Sequence, residues 1–256
     1  MSRAGPERAT ASPPGASDGP DRRTAIHWPR GADLGNSLGV ATLAAPVTLA
    51  GSLVRLEPLG LHHVAGLAAA AAEDRSPFRW SWVPDGEAAT HGYVLAALAG
   101  QEAGHMVPFA TVRLDDPSTG ADRVVGCTRF CRIEGWAWPE GSARHGKVTP
   151  DTCEIGYTWL AASAQRTGVN VEAKLLMVSH AFETWGAECV SWRTDARNEA
   201  SRRAIERLGA GFEGIERAER LAVDGTVRDT ARYSMLAAEW PEAKAALRAR
   251  LARHAP

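Results

Sequence analysis

The clearest pattern of hydrophobic and polar positions lies in the second half of the chain. Apolar residues recur there at intervals of four and three, the spacing that places side chains on one face of an α-helix. They are Val171, Leu175, Val178, Phe182 and Trp185. Gly186 follows directly, and glycine is common just beyond a helix C-terminus. The pattern predicts an amphipathic helix that ends at Gly186 and packs through this face.

The remaining segments divide between helical and strand-like patterns. Further helices are predicted over residues 61–72, 87–99, 198–208 and 241–254. Strands are predicted over residues 53–57, 107–113, 123–133, 152–160, 189–194, 212–223 and 228–236. The strands up to residue 160 follow one another through loops, as in an antiparallel meander, and the later strands alternate with helices. We therefore expect a mixed α/β (α+β) fold, with a mostly antiparallel sheet flanked by helices.

Domain organisation follows from the same patterns. Residues 1–50 carry prolines and glycines among Ser, Asp and Arg, without apolar periodicity of either kind. This composition predicts a disordered extension. The folded domain is expected over residues 51–240, followed by a C-terminal helix within residues 241–256.

Composition and charge exclude several classes of protein. The 256 residues are 45% hydrophobic and 23% charged, which argues against a collagen-like, coiled-coil or wholly disordered chain. The balance of 29 Lys and Arg against 30 Asp and Glu argues against nucleic acid as a partner. No apolar run of about 18 residues and no secretory signal pattern occurs, so a soluble protein without a membrane partner is expected.

The cysteines and histidines give no metal-site pattern. The four cysteines show neither CxxC spacing nor histidines at zinc-like intervals, which favours free thiols in a reducing cytoplasm. They are Cys127, Cys131, Cys153 and Cys189. His62, His63, His145 and Lys147 also lack acidic or thiol partners at ligand spacing and are interpreted as solvated. No metal is predicted.

The segment Gln165–Asn170 lies between a predicted strand and the amphipathic helix. A loop that leads into a helix presents unpaired backbone N–H groups and the positive end of the helix dipole, which together bind phosphate. Gly168 would let the backbone approach an anion closely. One glycine before a helix is common in any fold, so an ordinary turn stays an alternative.

A series of motifs in a fixed order narrows these alternatives. It resembles the GNAT superfamily of N-acetyltransferases over about residues 52–240, and within that superfamily the RimJ/RimL-like branch. The motifs are Glu154-Ile155-Gly156-Tyr157-Thr158-Trp159-Leu160, then Gln165–Asn170 with Glu172-Ala173-Lys174, then Thr194-Asp195 to Asn198-Glu199-Ala200-Ser201, and finally Leu208-Gly209-Ala210-Gly211-Phe212.

The resemblance implies a GNAT-like fold that binds acetyl-CoA as co-substrate, without a metal, where two parallel strands splay apart. The pyrophosphate would sit on the loop of Gln165, Arg166, Thr167, Gly168, Val169 and Asn170. The pantetheine arm would pair with the strand edge at Trp159, Leu160 and Ala161. Asn198 and Ser201 match the Asn-x-x-Ser helix start of the family and would face the pantetheine and the thiol. Asn198 is also a good N-cap, and the two roles are compatible.

Acetylation of an amine needs a base for the amine proton and an acid for the departing thiolate. Glu154 is the candidate base and Ser201 the candidate acid, although Glu154 pairing structurally with an arginine is an equal alternative. Some relatives carry a tyrosine further along this helix, where Ala204 and Ile205 stand, and Asn170 replaces the usual Gly or Ala. No acyl-enzyme is expected, because no cysteine stands beside a histidine base in the motifs.

Strict alternation along the strand would give it two distinct faces. One face would carry Glu154, Gly156, Thr158 and Leu160. The other face would carry Cys153, Ile155, Tyr157 and Trp159. Glu154 would then stand beside the gap at Gly156, in a position where burial raises the pKa of its carboxyl group.

Nine tryptophans are many for this length. Trp159, Trp185 and Trp192 lie on predicted elements and are expected in the core, whereas four others lie in predicted loops. These are Trp80, Trp82, Trp136 and Trp138. They are candidates for the wall of a pocket that holds an amine acceptor. Closing the core under long loops, or a homodimer contact, are the alternatives.

Three functions remain open at this point. The first is acetyl transfer from acetyl-CoA to the primary amine of a small molecule, by direct attack. The second is acetylation of a protein or peptide N-terminus, as the RimJ/RimL likeness implies. The third is an acyl-CoA-binding module without turnover, since fold and motif alone do not establish activity. The loop tryptophans favour the small molecule.

Overall fold

A computed structural model of the protein describes Met1 and residues 45–253. The strands are β1 Leu49–Ala50, β2 Val54–Pro58, β3 Met106–Asp116, β4 Ala121–Glu134, β5 Thr152–Leu160, β6 Cys189–Asp195, β7 Gly211–Leu221 and β8 Val227–Leu236. The helices are α1 Val64–Ala72, α2 Gly86–Glu102, α3 Val169–Ser179, α4 Glu199–Glu206 and α5 Trp240–Ala252. A turn of π-helix, His180–Thr184, extends α3, and Gly186 follows it at φ +62°. The predicted amphipathic helix and its glycine stop are thus confirmed.

The strands form one sheet in the order β1-β2-β3-β4-β5-β6-β8-β7. Strands β1 to β5 form the predicted antiparallel meander, and β6, β8 and β7 continue the sheet in antiparallel pairs. Among the strands of residues 45–253, only the pair β5 and β6 is parallel. The predicted mixed, mostly antiparallel sheet is confirmed.

The predicted boundary of the N-terminal extension was too late. Leu49 pairs with Leu56, so β1 lies inside the segment assigned to disorder. A strand of two residues is too short to show an alternation of apolar and polar positions in the sequence. Most of the predicted extension lies outside the described residues.

The start of the domain is fastened to α3 by one carboxylate. Glu172, which is 4% exposed, accepts hydrogen bonds from the backbone N–H groups of Ser52, Leu53 and Val54 at 2.9, 2.6 and 2.8 Å. A carboxylate that accepts several N–H bonds is well compensated for its burial. The bond set fixes the first strands against the helix that begins after residue 168.

Helices cover both faces of the sheet. Neighbouring residues of a strand point to opposite faces, and two residues of β4 mark the layers. The Cys127 thiol lies 3.1 Å from the hydroxyl of Tyr93 on α2, whereas the Thr128 hydroxyl accepts a 2.8 Å hydrogen bond from Lys174 on α3. Helix α1 packs with α2, and α5 packs with α3.

The alternation predicted along β5 is wrong beyond Gly156. Gly156 pairs with Arg129, but Trp159 pairs with Cys127, so β5 advances three residues while β4 advances two. The inserted residue is Tyr157, whose φ of +53° is left-handed. A bulge of this kind reverses the order of faces after it.

Side-chain contacts on both sides of the sheet show this reversal. Trp159 packs edge-on against Phe78, in the turn between α1 and α2, and therefore lies on the face of Gly156 and Glu154. Thr158 lies on the opposite face, where its hydroxyl accepts a 2.7 Å hydrogen bond from Lys174. Bulges leave no clear mark in a sequence, which explains the wrong prediction.

The core fills both layers with apolar side chains. Phe109 and Phe130 are fully buried and meet edge to face. Trp159, Trp185 and Trp192 are buried, as expected for tryptophans on regular elements. Among the helices of the described residues, none has the length and hydropathy needed to cross a membrane.

Candidate active site

The parallel strands β5 and β6 separate along their length. They pair at only three positions, of which Glu154 with Ser191 is the last, although β5 continues to Leu160 and β6 to Asp195. Beyond Glu154 the two strands therefore present facing edges that are not paired with each other. Glu154 stands at the apex of this V-shaped opening.

The loop from β5 to α3 closes one end of the opening. Gln165 reaches back to donate a 2.9 Å hydrogen bond to the carbonyl of Leu160, and Thr167 donates one of 2.7 Å to the carbonyl of Ala164. The left-handed residue is Arg166, at φ +60°, whereas Gly168 has a helical φ of −66°. Arg166 therefore makes the turn, and the close approach of an anion to the backbone at Gly168 stays a prediction.

Helix α3 begins directly after this loop. Its first α-helical hydrogen bond runs from Glu172 to the carbonyl of Gly168. The backbone N–H groups before Glu172 precede the helical hydrogen-bond ladder. Among the described residues, only the N–H of Val169 contacts a side chain, the Thr167 hydroxyl at 3.3 Å. Such groups at the positive end of a helix are suited to bind an anion.

The helix start after β6 has the predicted cap. The Asn198 side chain accepts a 3.0 Å hydrogen bond from the backbone N–H of Ser201, so Asn198 is the N-cap of α4. Both residues follow the end of β6 on the far side of the opening from the α3 loop. Ser201 is half-buried, and its part in binding or catalysis stays a prediction.

Glu154 is a buried carboxylate between two arginines. It is 8% exposed, and its Oε2 atom lies 3.3 Å from Nε of Arg132 and 3.7 Å from Nε of Arg193. Oε2 is nevertheless buried without a hydrogen bond of acceptable geometry from the described residues. The alternative of pairing with arginine is thus realised at ion-pair distance, although the arginines do not satisfy Oε2 with a well-formed hydrogen bond.

Two opposing effects set the pKa of Glu154. Burial raises it, while Arg193 and Arg132 lower it by favouring the charged form, and the net direction is upward. A base with a raised pKa takes a proton from an ammonium group more readily than an exposed carboxylate does.

A cavity of about 440 Å³ opens beside Glu154. It lies on the α2 face of the sheet, and its lining includes Met106, Cys131, Arg132, Glu154, Tyr157 and Arg220. Its volume is in the range of pockets that hold small molecules. The bulge brings Tyr157 into this lining, although simple alternation had assigned it to the other face.

The four loop tryptophans lie at two opposite ends of the β5 and β6 pair. Trp138 donates a 3.0 Å hydrogen bond to Asp151, just before β5, and its ring lies 5.6 Å from that of Trp136. Trp80 stacks at 4.1 Å on Arg197, just after β6. At about 3.3 Å per residue, the length of β6 separates these places by about 20 Å.

The predicted tryptophan wall is therefore not one surface. Trp82 and Trp136 are exposed, and within residues 45–253 none of the four tryptophans lines the cavity at Glu154. Asp151 instead accepts hydrogen bonds from the backbone N–H of Trp136 and from the indole N–H of Trp138. A role for either pair in substrate binding stays a prediction.

Sequence reasoning missed several residues near Glu154. Arg132 and Arg193 come from neighbouring strands, and only the register shows that they converge on the carboxylate. Arg129 carries a signal in the sequence, since it is a lone charge in the apolar stretch of β4. Arg220, on β7, also lines the cavity.

A second missed residue is Lys174, on the opposite face. It is 4% exposed, and its ammonium group bonds the hydroxyls of Thr128 and Thr158 at 2.8 and 2.7 Å. No carboxylate lies within ion-pair distance of it in the described part of the chain. Burial lowers the pKa of Lys174 to about 7.

This burial leads to a stability prediction for Lys174→Met. We expect the variant to be more stable than the wild type at pH 7, because it removes a desolvated amine while the two threonine hydroxyls still bond each other at 2.8 Å. Between the folded pKa of about 7 and the unfolded value of 10.5, the unfolded wild type binds more protons, so its stability rises with pH. The advantage of methionine should shrink by about 1.4 kcal/mol per pH unit in this window.

Urea unfolding of both proteins at pH 7 and pH 9 measures this difference. Lys244→Met is the control, since Lys244 bonds the Glu183 carboxylate and its loss should give no gain in stability. An equal or lower stability of Lys174→Met at both pH values would contradict the prediction.

In the structure, Glu57 lies close to the consecutive histidines His62 and His63. Ligand atoms of Glu57, His62 and His63 lie within 4.8 Å of one another, a cluster that sequence spacing did not reveal. Protein groups already bond it, since Arg55 donates to Glu57 at 2.7 Å and Gly60 donates to His63 at 3.1 Å. His63, expected to be solvated, is 3% exposed and lies 3.1 Å from Glu57.

Comparison with known proteins is independent of this geometry. A model of the family described as "Acetyltransferase (GNAT) domain" matches residues 54–211. A GCN5-related N-acetyltransferase from Brucella melitensis is 28% identical, with 81% of this chain and 86% of that chain covered and a TM-score of 0.67. An acetyltransferase-like protein from T. thermophilus is 34% identical, with 81% and 98% covered and a TM-score of 0.62.

A third solved structure resembles the chain in fold alone. RimJ of Mycobacterium smegmatis, in complex with CoA-disulfide, is 21% identical, with 81% of this chain and 96% of that chain covered and a TM-score of 0.64. Among curated proteins, no sequence matches significantly.

Proposed function

This chain belongs to the GNAT acetyltransferase family and is an acetyl-CoA-dependent N-acetyltransferase, and from that premise we propose that its acceptor is the primary amine of a small molecule. The observation that carries the proposal is the buried Glu154 carboxylate at the apex of the strand opening, beside a cavity of about 440 Å³. A pocket of this volume fits a small molecule.

The proposed site for acetyl-CoA is the opening between β5 and β6. The edge at residues 159–161, which does not pair with β6, would accept the amide-bearing pantetheine arm as an added strand. The free N–H groups at the start of α3 would hold the pyrophosphate, and the left-handed turn at Arg166 supports that role. Asn198 and Ser201, on the other side of the opening, would face the arm and the thiol.

Acetyl-CoA supplies an activated acetyl group in the form of a thioester. Glu154 would accept the proton of the attacking amine, directly or through water, at its Oε1 atom, which faces the space kept open by Gly156. Arg132 and Arg193 orient this carboxylate and keep it charged against the cost of burial. Ser201 would protonate the departing thiolate. The amine attacks the thioester directly, and no covalent acyl-enzyme is formed.

Two finer points belong to the same proposal. The ordered motifs support membership of the RimJ/RimL-like branch, and RimJ of M. smegmatis has the same fold. The four cysteines are free thiols, three of them buried, which supports a reducing cytoplasm as the compartment.

The test is an acetylation assay on the purified protein. Release of free CoA is followed with acetyl-CoA and separate panels of small primary amines, amino acids, aminoacyl nucleotides, antibiotics and N-terminal peptides, against a blank without acceptor. We expect release with a small-molecule panel. Release with peptides alone would replace the small molecule by a protein N-terminus. Binding of acetyl-CoA in calorimetry without release from any panel would overturn the proposal in favour of a binding module.

A further inference from the structure

Arg129 is a buried arginine held between two aromatic rings. It is 4% exposed, and its guanidinium carbon lies 4.5 Å from the ring centre of Tyr93 and 4.4 Å from that of Tyr157. The two rings stabilise the cation through their faces. The N–H donors point outward from the edges of the planar group, so their hydrogen-bond acceptors must come from elsewhere.

One edge of this guanidinium has no partner. Nη1 contacts the Met106 sulfur at 3.5 Å, whereas Nε and Nη2 are buried without any hydrogen bond from the described residues. No carboxylate of residues 45–253 lies within 4.0 Å of it, in contrast to Arg123, which pairs with both Glu73 and Asp116. A buried cation without a counter-charge is strongly destabilising, so a counter-charge from outside the chain is expected.

The two free nitrogens are the pair that best fits a carboxylate. Nε and Nη2 project their N–H groups in parallel from one side of the guanidinium, and such a fork donates two parallel hydrogen bonds to one carboxylate. A lysine at this position would offer a single point charge without this geometry. The chemistry of the free edge therefore selects a planar anion.

The position of Arg129 connects it to the reaction. It pairs across the sheet with Gly156, and Glu154 is the next residue of β5 on that face. Diagonal neighbours on one face are about 7–8 Å apart at their Cα atoms, within the span of a small molecule. A side chain at residue 156 would lie 3.2 Å from the Glu154 carboxylate, so the glycine keeps free the space between base and arginine.

The cavity reaches two side chains that contact Arg129, although Arg129 itself is not part of its lining. Met106 and Tyr157 both contact Arg129, and both line the cavity that contains Glu154. Tyr157 is 50% exposed, and methionine is flexible, so these two side chains can shift when a ligand enters. A ligand at Glu154 would meet Arg129 behind them.

We propose that Arg129 binds a carboxylate of the acceptor, so that the substrate is an amino acid or a similar amine whose carboxylate lies a few atoms from the reacting nitrogen. This inference rests on the proposed acetylation at Glu154. In it, the amine faces Glu154 while the carboxylate takes both free N–H groups of Arg129. An acceptor without the acid group leaves the cation buried and unpaired, and it binds less well for that reason.

The first experiment uses the wild-type protein and matched pairs of acceptors. Each amino acid of the panel is compared with the amine left after removing its carboxylate, and with its carboxamide. We expect kcat/KM to be roughly 100-fold higher for the acid of the preferred pair. A phosphonate analogue separates a carboxylate site from a general oxoanion site, and preference for the phosphonate would overturn the assignment.

The second experiment assigns the preference to Arg129. In Arg129→Met the ratio of kcat/KM between acid and amine should fall toward 1, and Arg129→Lys should restore only part of it because the fork is lost. Arg217→Met, at an exposed residue of β7, is the control and should keep the wild-type ratio. An unchanged ratio in folded Arg129→Met would overturn the proposal.

The outcomes separate this inference from the proposed function. If amines are acetylated but the wild type shows no preference for the acid, only the role of Arg129 is wrong. If acetyl-CoA binds and no amine is acetylated, the proposed function itself fails. If Arg129→Met does not fold, as checked by thermal unfolding, the matched pairs on the wild type and the Arg129→Lys ratio decide.

Discussion

Replacing Glu154 with glutamine should lower kcat for acetyl transfer roughly 100- to 10,000-fold, the range attributed to a general base. Glutamine has nearly the shape of glutamate but accepts no proton at neutral pH. The substitution also removes the negative charge that faces Arg132 and Arg193. Calorimetry with acetyl-CoA, alongside the assay, separates a loss of chemistry from a loss of cofactor binding.

The pH profile gives this prediction a second readout. Glu154 acts as a base only when it is ionised, and burial raises its pKa above the ordinary value of 4.5. Activity should therefore be lost as the pH falls through that raised pKa. This acidic limb should disappear from the residual activity of Glu154→Gln, where the titrating carboxyl group is absent.

A matched control lies in the same cavity. Glu134 also lines it but is exposed, at the end of β4, and Glu134→Gln should stay within a few-fold of the wild type. If Glu154→Gln and Glu134→Gln lower kcat equally, or if Glu154→Gln retains the full rate with its acidic limb, Glu154 is not the base.

The sequence predicted the elements of this fold better than their geometry. The predicted bounds of helix α3 and of the strand Thr152–Leu160 agree well with the structure, because amphipathic periods and strand-favouring Ile, Tyr and Trp residues are local properties. The parallel pair β5 and β6 was implied only by the family resemblance. Its separation beyond Glu154 depends on the register, which is a property of two distant segments.

The candidate site shows the same division. Glu154 was recognised because it belongs to a motif, and Asn198 because caps have a local signature. Arg129 was not recognised, because its importance lies in Tyr93 and Tyr157, which reach it from α2 and from the bulge. The tryptophans were grouped by residue type alone, although they lie at opposite ends of β6.

Strands β4 and β5 come unusually close at Gly126, and Gly126→Ala should therefore cost roughly 3–5 kcal/mol of unfolding free energy. Gly126 has φ +155°, and a Cβ there would lie 2.1 Å from the carbonyl oxygen of Trp159 and 3.0 Å from Cα of Leu160. Both atoms belong to the backbone of the facing strand β5, and a backbone cannot rotate away as a side chain does. The strands must separate to admit the methyl group.

The forced separation of β4 and β5 at Gly126 would affect cofactor binding as well as stability. Just beyond Gly126, the N–H of Ala161 donates a 2.7 Å hydrogen bond to the carbonyl of Val125, which fixes the end of β5 before the α3 loop. Moving β5 here displaces the edge proposed for the pantetheine arm. Gly126→Ala should therefore bind acetyl-CoA more weakly even at temperatures where it is folded.

Gly120→Ala is the matched control, because it places the same methyl group on a left-handed glycine of the same hairpin. Gly120 has φ +65°, and no atom of the described part of the chain lies within 4 Å of its Cβ position, so only the backbone cost of about 1 kcal/mol applies. Urea unfolding of both variants isolates the contribution of the close approach. Equal losses would mean that β4 and β5 are not held together at Gly126, and the rigid edge inferred for cofactor binding would lose its basis.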